Sequence, residues 1–334
     1  MTRPPGGVLA AIGDTPLVEL TRIFPGSTFR TFAKLEAHNP GGSVKDRSAL
    51  GMLLERIRTG DLVPGKSVVV ESSSGNLGIG LAQACQYYEL RFVCVVDPRT
   101  NPQNIAVMRA LGAEVEVVTE PDPVTGEFLP ARIDRVRELV RTIPLAYCPD
   151  QYGNPLNALA HRHTMREIVE QLAGRLDYLF CATSTCGTLR GCAEYAREIG
   201  LPVRIVAVDA IGSVIFDQPP GARLLPGHGA SVRPALMRPG LADEVVHVGD
   251  LDCLVGCRRL ARREAILAGG SSGAVLSALD TVRGRIPAGS VCAVILPDRG
   301  ERYLDTIYSD AWATEHFGAV SHLWKDPVTE APRC

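Results

Sequence analysis

Neither sign of charge prevails in this chain. Its 334 residues carry 37 acids and 35 bases, so no one-signed field draws it toward nucleic acid or an anionic membrane. Long apolar runs are missing too. Nothing approaches the length that spans a bilayer, and the opening "MTRPPGGVLA" lacks the apolar centre of a secretory signal. A cytoplasmic location is the expectation. Internal repeats and low-complexity tracts are absent. Cysteine is not scarce, at ten, but no two form CxxC; the nearest pair is Cys253 and Cys257. Several lie inside apolar runs, Cys94 in "RFVCVV" and Cys292 in "SVCAVIL", so buried free thiols are expected rather than disulfides or metal ligands. His161 and His163 stand two apart on a helix-like stretch, which points them to different faces. No metal site is expected.

What is present is a beat of strand and helix. "TFAKLEA" reads as a strand and "DRSALGMLLERIRTG" as a helix ending at Gly60. Strand-like "KSVVVESS" precedes helical "NLGIGLAQACQYY". The alternation continues through "RFVCVVD", "NPQNIAVMRALG", "AEVEVVTE", "ARIDRVRELVRTI", "LDYLFCAT", "LRGCAEYAREIG", "VRIVAVDA", "CLVGCRRLARREAILAGG" and "SVCAVILPD". Such a beat implies an α/β fold of mostly parallel, twisted sheets with helices on both faces. The length implies two domains. Turn formers in "DQYGNPLN" mark a break near residues 150–157. "IFDQPPGARLLPGHGASVRP" is a long loop without periodicity, of a kind that is more often functional than not. The last residues, 326–334, read as a loose tail.

Two motifs match by letter and fail by context. "GDLVPGKS", Gly60 to Ser67, satisfies the phosphate-binding pattern G-x-x-x-x-G-K-[ST]. That loop needs a strand before it and a helix after it; here the order is reversed, which leaves a helix stop and a turn. "GGSSG", Gly269 to Gly273, matches the hydrolase elbow G-x-S-x-G, which needs a strand running into it. The preceding "RRLARREAILA" reads as a helix.

Four other features are more specific in combination than any one alone. "HNPGGSVKDR" puts Lys45 on a glycine-hinged turn that leads straight into a helix. "ESSSGNLG" and "TSTCGTLRG" each follow a strand and open a helix, where backbone amides and hydroxyls can hold a carboxylate or a phosphate. "GGSSG" is the third hydroxyl-rich junction. A lysine for a Schiff base, a phosphate cup, a carboxylate cup and a partner for a pyridine nitrogen are what pyridoxal phosphate chemistry needs.

On these motifs, taken in this order, the chain resembles the cysteine synthase/cystathionine β-synthase family of fold-type II pyridoxal-phosphate enzymes, from "IGDTPLVEL" to "LPDRGERYLDT". The resemblance implies pyridoxal 5'-phosphate as cofactor and Lys45 as the Schiff-base lysine. It implies Asn76 at the cofactor's ring hydroxyl. Ser184, Thr185, Cys186, Gly187 and Thr188 would lie at its phosphate, and Ser271 at the pyridine nitrogen. Ser73, Ser74 and Gln151 would hold the substrate carboxylate. It implies a tryptophan-synthase-β-like division, with residues 1–44 plus 153–325 as the large cofactor domain and 45–152 as a smaller, substrate-closing domain. It also implies small amino-acid substrates and a homodimer. The chain departs from cysteine synthases at Leu77 (usually threonine), at Ser184 and Cys186 (usually glycines), and at Asp298 and Arg299 in a segment commonly "LPSSGERYLS". These departures, with "VVDPRTNPQN", "CPDQYGNPLN", "AVDAIGSVIF" and "LPGHGAS", are similar to a branch that joins O-phospho-L-serine to L-glutamate and releases phosphate. That branch supplies 2,3-diaminopropionate to siderophore and peptide-antibiotic synthesis. A cysteine or cystathionine β-synthase is the alternative. A glutamate acceptor brings two carboxylates and calls for a cation at the mouth. Arg132 is a candidate, or a solvated helix charge. Tyr152, beside Gln151, lines the pocket or packs.

Overall fold

The computed structural model describes residues 7–124 and 126–325. The expected tail at 326–334 lies outside the described residues. In chain order the elements are β1 (Leu17–Glu19), β2 (Arg30–Leu35), α1 (Lys45–Thr59), β3 (Val68–Ser72), α2 (Asn76–Tyr87), β4 (Arg91–Val96), α3 (Pro102–Ala110), β5 (Glu114–Val117), α4 (Phe128–Thr142) and β6 (Ala146–Tyr147). There follow α5 (Pro155–Gln171), β7 (Tyr178–Ala182), α6 (Gly187–Glu198), β8 (Arg204–Ala210), β9 (Glu244–Val248), α7 (Asp250–Glu264), α8 (Gly270–Val282), β10 (Val291–Leu296) and α9 (Asp310–Phe317).

The strands form two sheets. One has the order β1-β2-β10-β7-β8-β9, the other β5-β4-β3-β6. Every pairing is parallel except that of the edge strand β1 with β2. Parallel strands must be covered on both faces, because their crossover helices lie there. The apolar run of β10 shows this directly. Cys292, Val294 and Leu296 join one core with α7 and α8, while Val291, Ala293 and Ile295 join another with α5 and α6. The smaller sheet repeats the pattern. Val69, Phe92, Cys94 and Val96 pack with α1, α2 and α3 on one side; Val68, Val70, Val93 and Val95 pack with α4 on the other. Unbroken runs such as "VCAVIL" follow from that double burial.

The letter-match at Gly60 to Ser67 folds as its context implies. Gly60 ends α1 in the left-handed region at φ 82°, and Val63 N–H donates to the Ser67 hydroxyl at 2.9 Å, closing a turn before β3. One helix boundary differs from the sequence reading. The pattern "CLVGCRRLARREAILAGG" predicts helix to Ala268, but α7 stops at Glu264 and Ala265 is left-handed at φ 57°. Tertiary contacts outweigh propensity there. The Glu264 carboxylate accepts from the N–H groups of Arg22 and Ile23 at 2.6 and 2.7 Å, and Ala268 pairs with Arg299. The nine described cysteines are unpaired, and all but Cys148 are buried. Among the described residues no helix is long and apolar enough to cross a membrane.

Candidate active site

The lysine turn is fastened to the C-terminal end of β10, where parallel sheets place their sites. Val44 N–H donates to Pro297 O at 2.7 Å, and Arg299 N–H to Gly42 O at 3.3 Å. Ser43 pairs with Asp298. Gly42 has φ 85°, and a Cβ there would lie 2.3 Å from Arg299 Nε, so glycine alone lets the turn close. Helix α1 then begins at Lys45, whose N–H donates to the Ser43 hydroxyl at 3.2 Å. The side chain is half-buried. Burial pushes its ammonium down, with Cys181, Cys186 and Asp298 acting in the other direction.

The loop from β7 into α6 lies beside it. Cys186 is left-handed at φ 63°, which turns the loop into the start of α6, where helix-opening amides collect; Gly187 N–H donates to Thr185 Oγ1 at 3.4 Å. A Cβ on Gly187 would lie 2.3 Å from Asn157 Oδ1. Asn157 Nδ2 donates to Thr185 Oγ1 at 3.2 Å and to Gln151 O at 2.7 Å. Thr188 Oγ1 is 3.3 Å from His161 Nε2, whose Nδ1 is 3.3 Å from Thr164 Oγ1. Burial, and then the charges of Lys45 and Arg47, push His161 well below its ordinary range, so it is a neutral partner for Thr188. Ser184 is half-buried, and the Cys186 side chain packs on Ile215, Ala230 and Leu236. Gly187→Ala is expected to weaken pyridoxal phosphate binding about tenfold or more, about 1.4 kcal/mol, in a fluorescence titration of the apoprotein; unchanged affinity would show that the loop does not need this close approach.

The carboxylate loop is built on the start of α2. Ser73 Oγ accepts from Gly78 N–H at 2.9 Å, which leaves its hydroxyl hydrogen free to donate. Ser74 is exposed, with its carbonyl accepting from Asn104 Nδ2 at 3.0 Å. Gln151 is buried and reaches Ser72 O at 3.5 Å; through Asn157 it is tied to Thr185. Asn76 opens α2. Its Nδ2 donates to Asp298 Oδ2 at 2.8 Å, and its Oδ1 accepts from Arg302 Nη1. Ser271, on the first turn of α8, is buried and faces Gly227 in the long loop. Beside it the Ser272 hydroxyl is buried without a hydrogen-bond partner among the described residues.

Arg132 is not a solvated helix charge. Its side chain is 11% exposed, and its Nε lies 3.4 Å from Asp97 Oδ2. Its Nε and Nη1 are buried with no hydrogen bond among the described residues. Tyr152 is half-buried. Burial pushes its phenol up, and the Arg132 charge acts against that. Asp298 links the lysine turn to Asn76, and Asn157 links Gln151 to the 184–188 loop; Ser73 braces the start of α2, Ser271 faces Gly227, and Arg132 sits beside Asp97. Asn157, His161 and Arg302 escape sequence reading. Each is an ordinary polar residue whose partner lies far along the chain.

Comparison with known proteins gives a consistent picture. A family described as "Pyridoxal-phosphate dependent enzyme" matches residues 8–298. A protein of Ralstonia nicotianae, named N-(2-amino-2-carboxyethyl)-L-glutamate synthase, is 45% identical over 94% of this chain and 94% of its own. One of Cupriavidus metallidurans with the same name is 47% identical over 91% and 90%. Among solved structures, an O-acetylserine-dependent cystathionine β-synthase from Helicobacter pylori superposes with TM-score 0.84 at 32% identity, covering 90% of this chain and 98% of that one. A cysteine synthase from Entamoeba histolytica superposes with TM-score 0.84 at 31% identity, covering 92% and 91%.

Proposed function

Because the chain belongs to the pyridoxal-phosphate-dependent enzyme family, we propose that it joins O-phospho-L-serine to L-glutamate, making N-(2-amino-2-carboxyethyl)-L-glutamate and releasing phosphate. The product would feed 2,3-diaminopropionate supply for a siderophore or peptide antibiotic. We take the enzyme to be a cytoplasmic homodimer. Its large cofactor domain would comprise residues 1–44 and 153–325, and its smaller closing domain residues 45–152.

The residues present fit the cofactor. A phosphate suits the amides of Ser184 to Thr188 and the Thr185 and Thr188 hydroxyls, where Gly187 has no room for a Cβ. Lys45 Nζ would hold the aldehyde carbon, a remaining N–H of Asn76 the ring hydroxyl, and Ser271 the ring nitrogen. When bound, pyridoxal phosphate supplies an electron sink for a carbanion at the substrate's Cα. Lys45 supplies the proton transfers. Burial favours its neutral amine, so it takes the Cα proton and later returns it. Between those steps the Cβ–oxygen bond of O-phosphoserine breaks, phosphate departs, and the glutamate nitrogen bonds to Cβ and gives up a proton. Ser73, Ser74 and Gln151 orient the amino-acid carboxylate. A neutral Ser271, unlike an aspartate, does not hold the ring nitrogen protonated.

The observation that carries this reading over a thiol acceptor is Arg132. Its guanidinium is largely buried, and beyond the Asp97 carboxylate at 3.4 Å its Nε and Nη1 make no hydrogen bond among the described residues, so it keeps donors for a second anion. Sulfide brings no carboxylate and homocysteine one, whereas glutamate brings two, so only glutamate has a side-chain carboxylate for Arg132. Phosphate release from O-phosphoserine, measured against a panel of amine and thiol acceptors, tests this. Glutamate is expected to be preferred, and Arg132→Ala to raise its KM about tenfold or more, the loss of one charge-assisted contact of about 1.5–3 kcal/mol. Faster release with sulfide or homocysteine than with glutamate at matched concentration would replace this reading with a cysteine or cystathionine synthase.

A further inference from the structure

Asp298 touches three of the four loops at once. Ser43 of the lysine turn pairs with it. Its Oδ2 accepts from Asn76 Nδ2 at 2.8 Å and from the Tyr303 hydroxyl at 2.6 Å. Its Oδ1 faces Gly269 so closely that a Cβ there would lie 2.3 Å away. The residue is 2% exposed. On the opposite side of Asn76, Arg302 donates to the amide oxygen and, through Nη2, to Gly41 O at 2.6 Å. Asn101 Nδ2 anchors the Arg302 carbonyl at 3.0 Å.

An asparagine amide ordinarily can turn end for end at small cost, since its two ends are similar in size. Here it cannot. Reversal would set its oxygen against a carboxylate and its N–H groups against a guanidinium. A cation on the oxygen and an anion on one N–H also polarise the amide, which strengthens the donor that remains. A serine at position 298 has no charge and a shorter reach, so it cannot accept from Asn76 and Tyr303 in this way.

We propose that Asp298 is a positioning residue that, with Arg302, locks the Asn76 amide as a one-way donor toward the cofactor's ring hydroxyl while holding the lysine turn and the Gly269 junction in register. This rests on the cofactor role proposed above for Asn76. It concerns a residue that need not touch cofactor or substrate.

The test uses the full chain loaded with pyridoxal phosphate, as wild type, Asp298→Asn, Asp298→Ser and Tyr303→Phe. Asp298→Asn keeps the shape and removes the charge that dictates the amide's direction. Its visible absorbance is expected to move from the yellow band toward the near-ultraviolet band, and its kcat to fall about tenfold with KM for O-phosphoserine within about threefold. Asp298→Ser should move the spectrum further. Tyr303→Phe, which removes one hydrogen bond from the carboxylate, should move it less and in the same direction. A cooperatively unfolding Asp298→Asn protein with the wild-type spectrum and kcat overturns the proposal. Should that variant not fold, an unchanged spectrum in Tyr303→Phe overturns it. A wild type that stays colourless with pyridoxal phosphate sinks the cofactor assignment and this inference together. A yellow wild type whose variants shift, but which uses a thiol acceptor, supports the role of Asp298 and removes only the proposed acceptor.

Discussion

Lys45→Ala is expected to leave a folded, colourless protein whose turnover is lower by about 10⁴-fold or more, since one group both binds the cofactor and moves the Cα proton. Alanine is the best helix former, and Lys45 is the first residue of α1, so the fold should survive. Borohydride added to the yellow wild type should trap the cofactor on Lys45, visible as a mass shift on the peptide holding "GGSVKDR". Trapping on another lysine, or wild-type turnover by Lys45→Ala, would move the chemistry elsewhere. A colourless wild type that binds ATP would redirect attention to the turn at Lys66.

The second large effect lies beneath that lysine, two residues on. Arg47 makes a double ion pair, with Nε and Nη2 on Glu36 at 2.7 and 2.9 Å and Nη1 and Nη2 on Glu167 at 2.6 and 2.7 Å. Lys34 Nζ reaches Glu167 at 2.8 Å and Thr15 O at 2.6 Å. All four charged groups are buried. The cluster pins α1, and hence Lys45, to α5 and to the end of β2. Arg47→Met is expected to cost about 3–5 kcal/mol, because it strands two carboxylates with a single cation. Exchanging all four together (Lys34→Met, Glu36→Leu, Arg47→Met and Glu167→Leu) should cost less than the single change, since no charge is then left unpaired. Urea unfolding midpoints at constant slope measure both; a single variant no less stable than the quadruple one would contradict the account. The pH dependence has a definite sign. Burial alone would raise the Glu167 carboxyl, but the hydrogen bonds and charge of Arg47, then Lys34, overcome it and hold it down to about 2 against an ordinary 4.5. A carboxyl depressed in the folded state stabilises above its unfolded value and loses that contribution as pH falls. Glu167 should therefore destabilise the fold progressively between about pH 4.5 and about pH 2, and Glu167→Gln should flatten that slope.

The elements that could be read from the chain are those whose cause is local or periodic. Apolar runs such as "VCAVIL" and "RFVCVV" announced strands covered on both faces, because side chains alternate and neither face can meet water. The Gly60 stop, the "NPGGSVKDR" turn and the two strand-to-helix loops were legible because glycine and hydroxyl residues mark backbone geometry directly. The segments that misled or stayed silent have another origin. The helix α7 ends four residues early because Glu264 is taken by Arg22 and Ile23, some 240 positions away. β6 has two residues and β9 five, and each is held by its pairing with β3 or β8. The sequence by itself determined the alternating architecture, the order of the loops and the lysine at the head of α1. Only the tertiary structure decided that Asp298 and Arg302 clasp Asn76, that Asn157 and His161 brace the 184–188 loop, that Arg132 lies buried against Asp97, and that Arg47 holds two glutamates. Those are hydrogen bonds and ion pairs between side chains distant in sequence. Their strength depends on exclusion of water and on angles of a few degrees, which no spacing along the chain encodes.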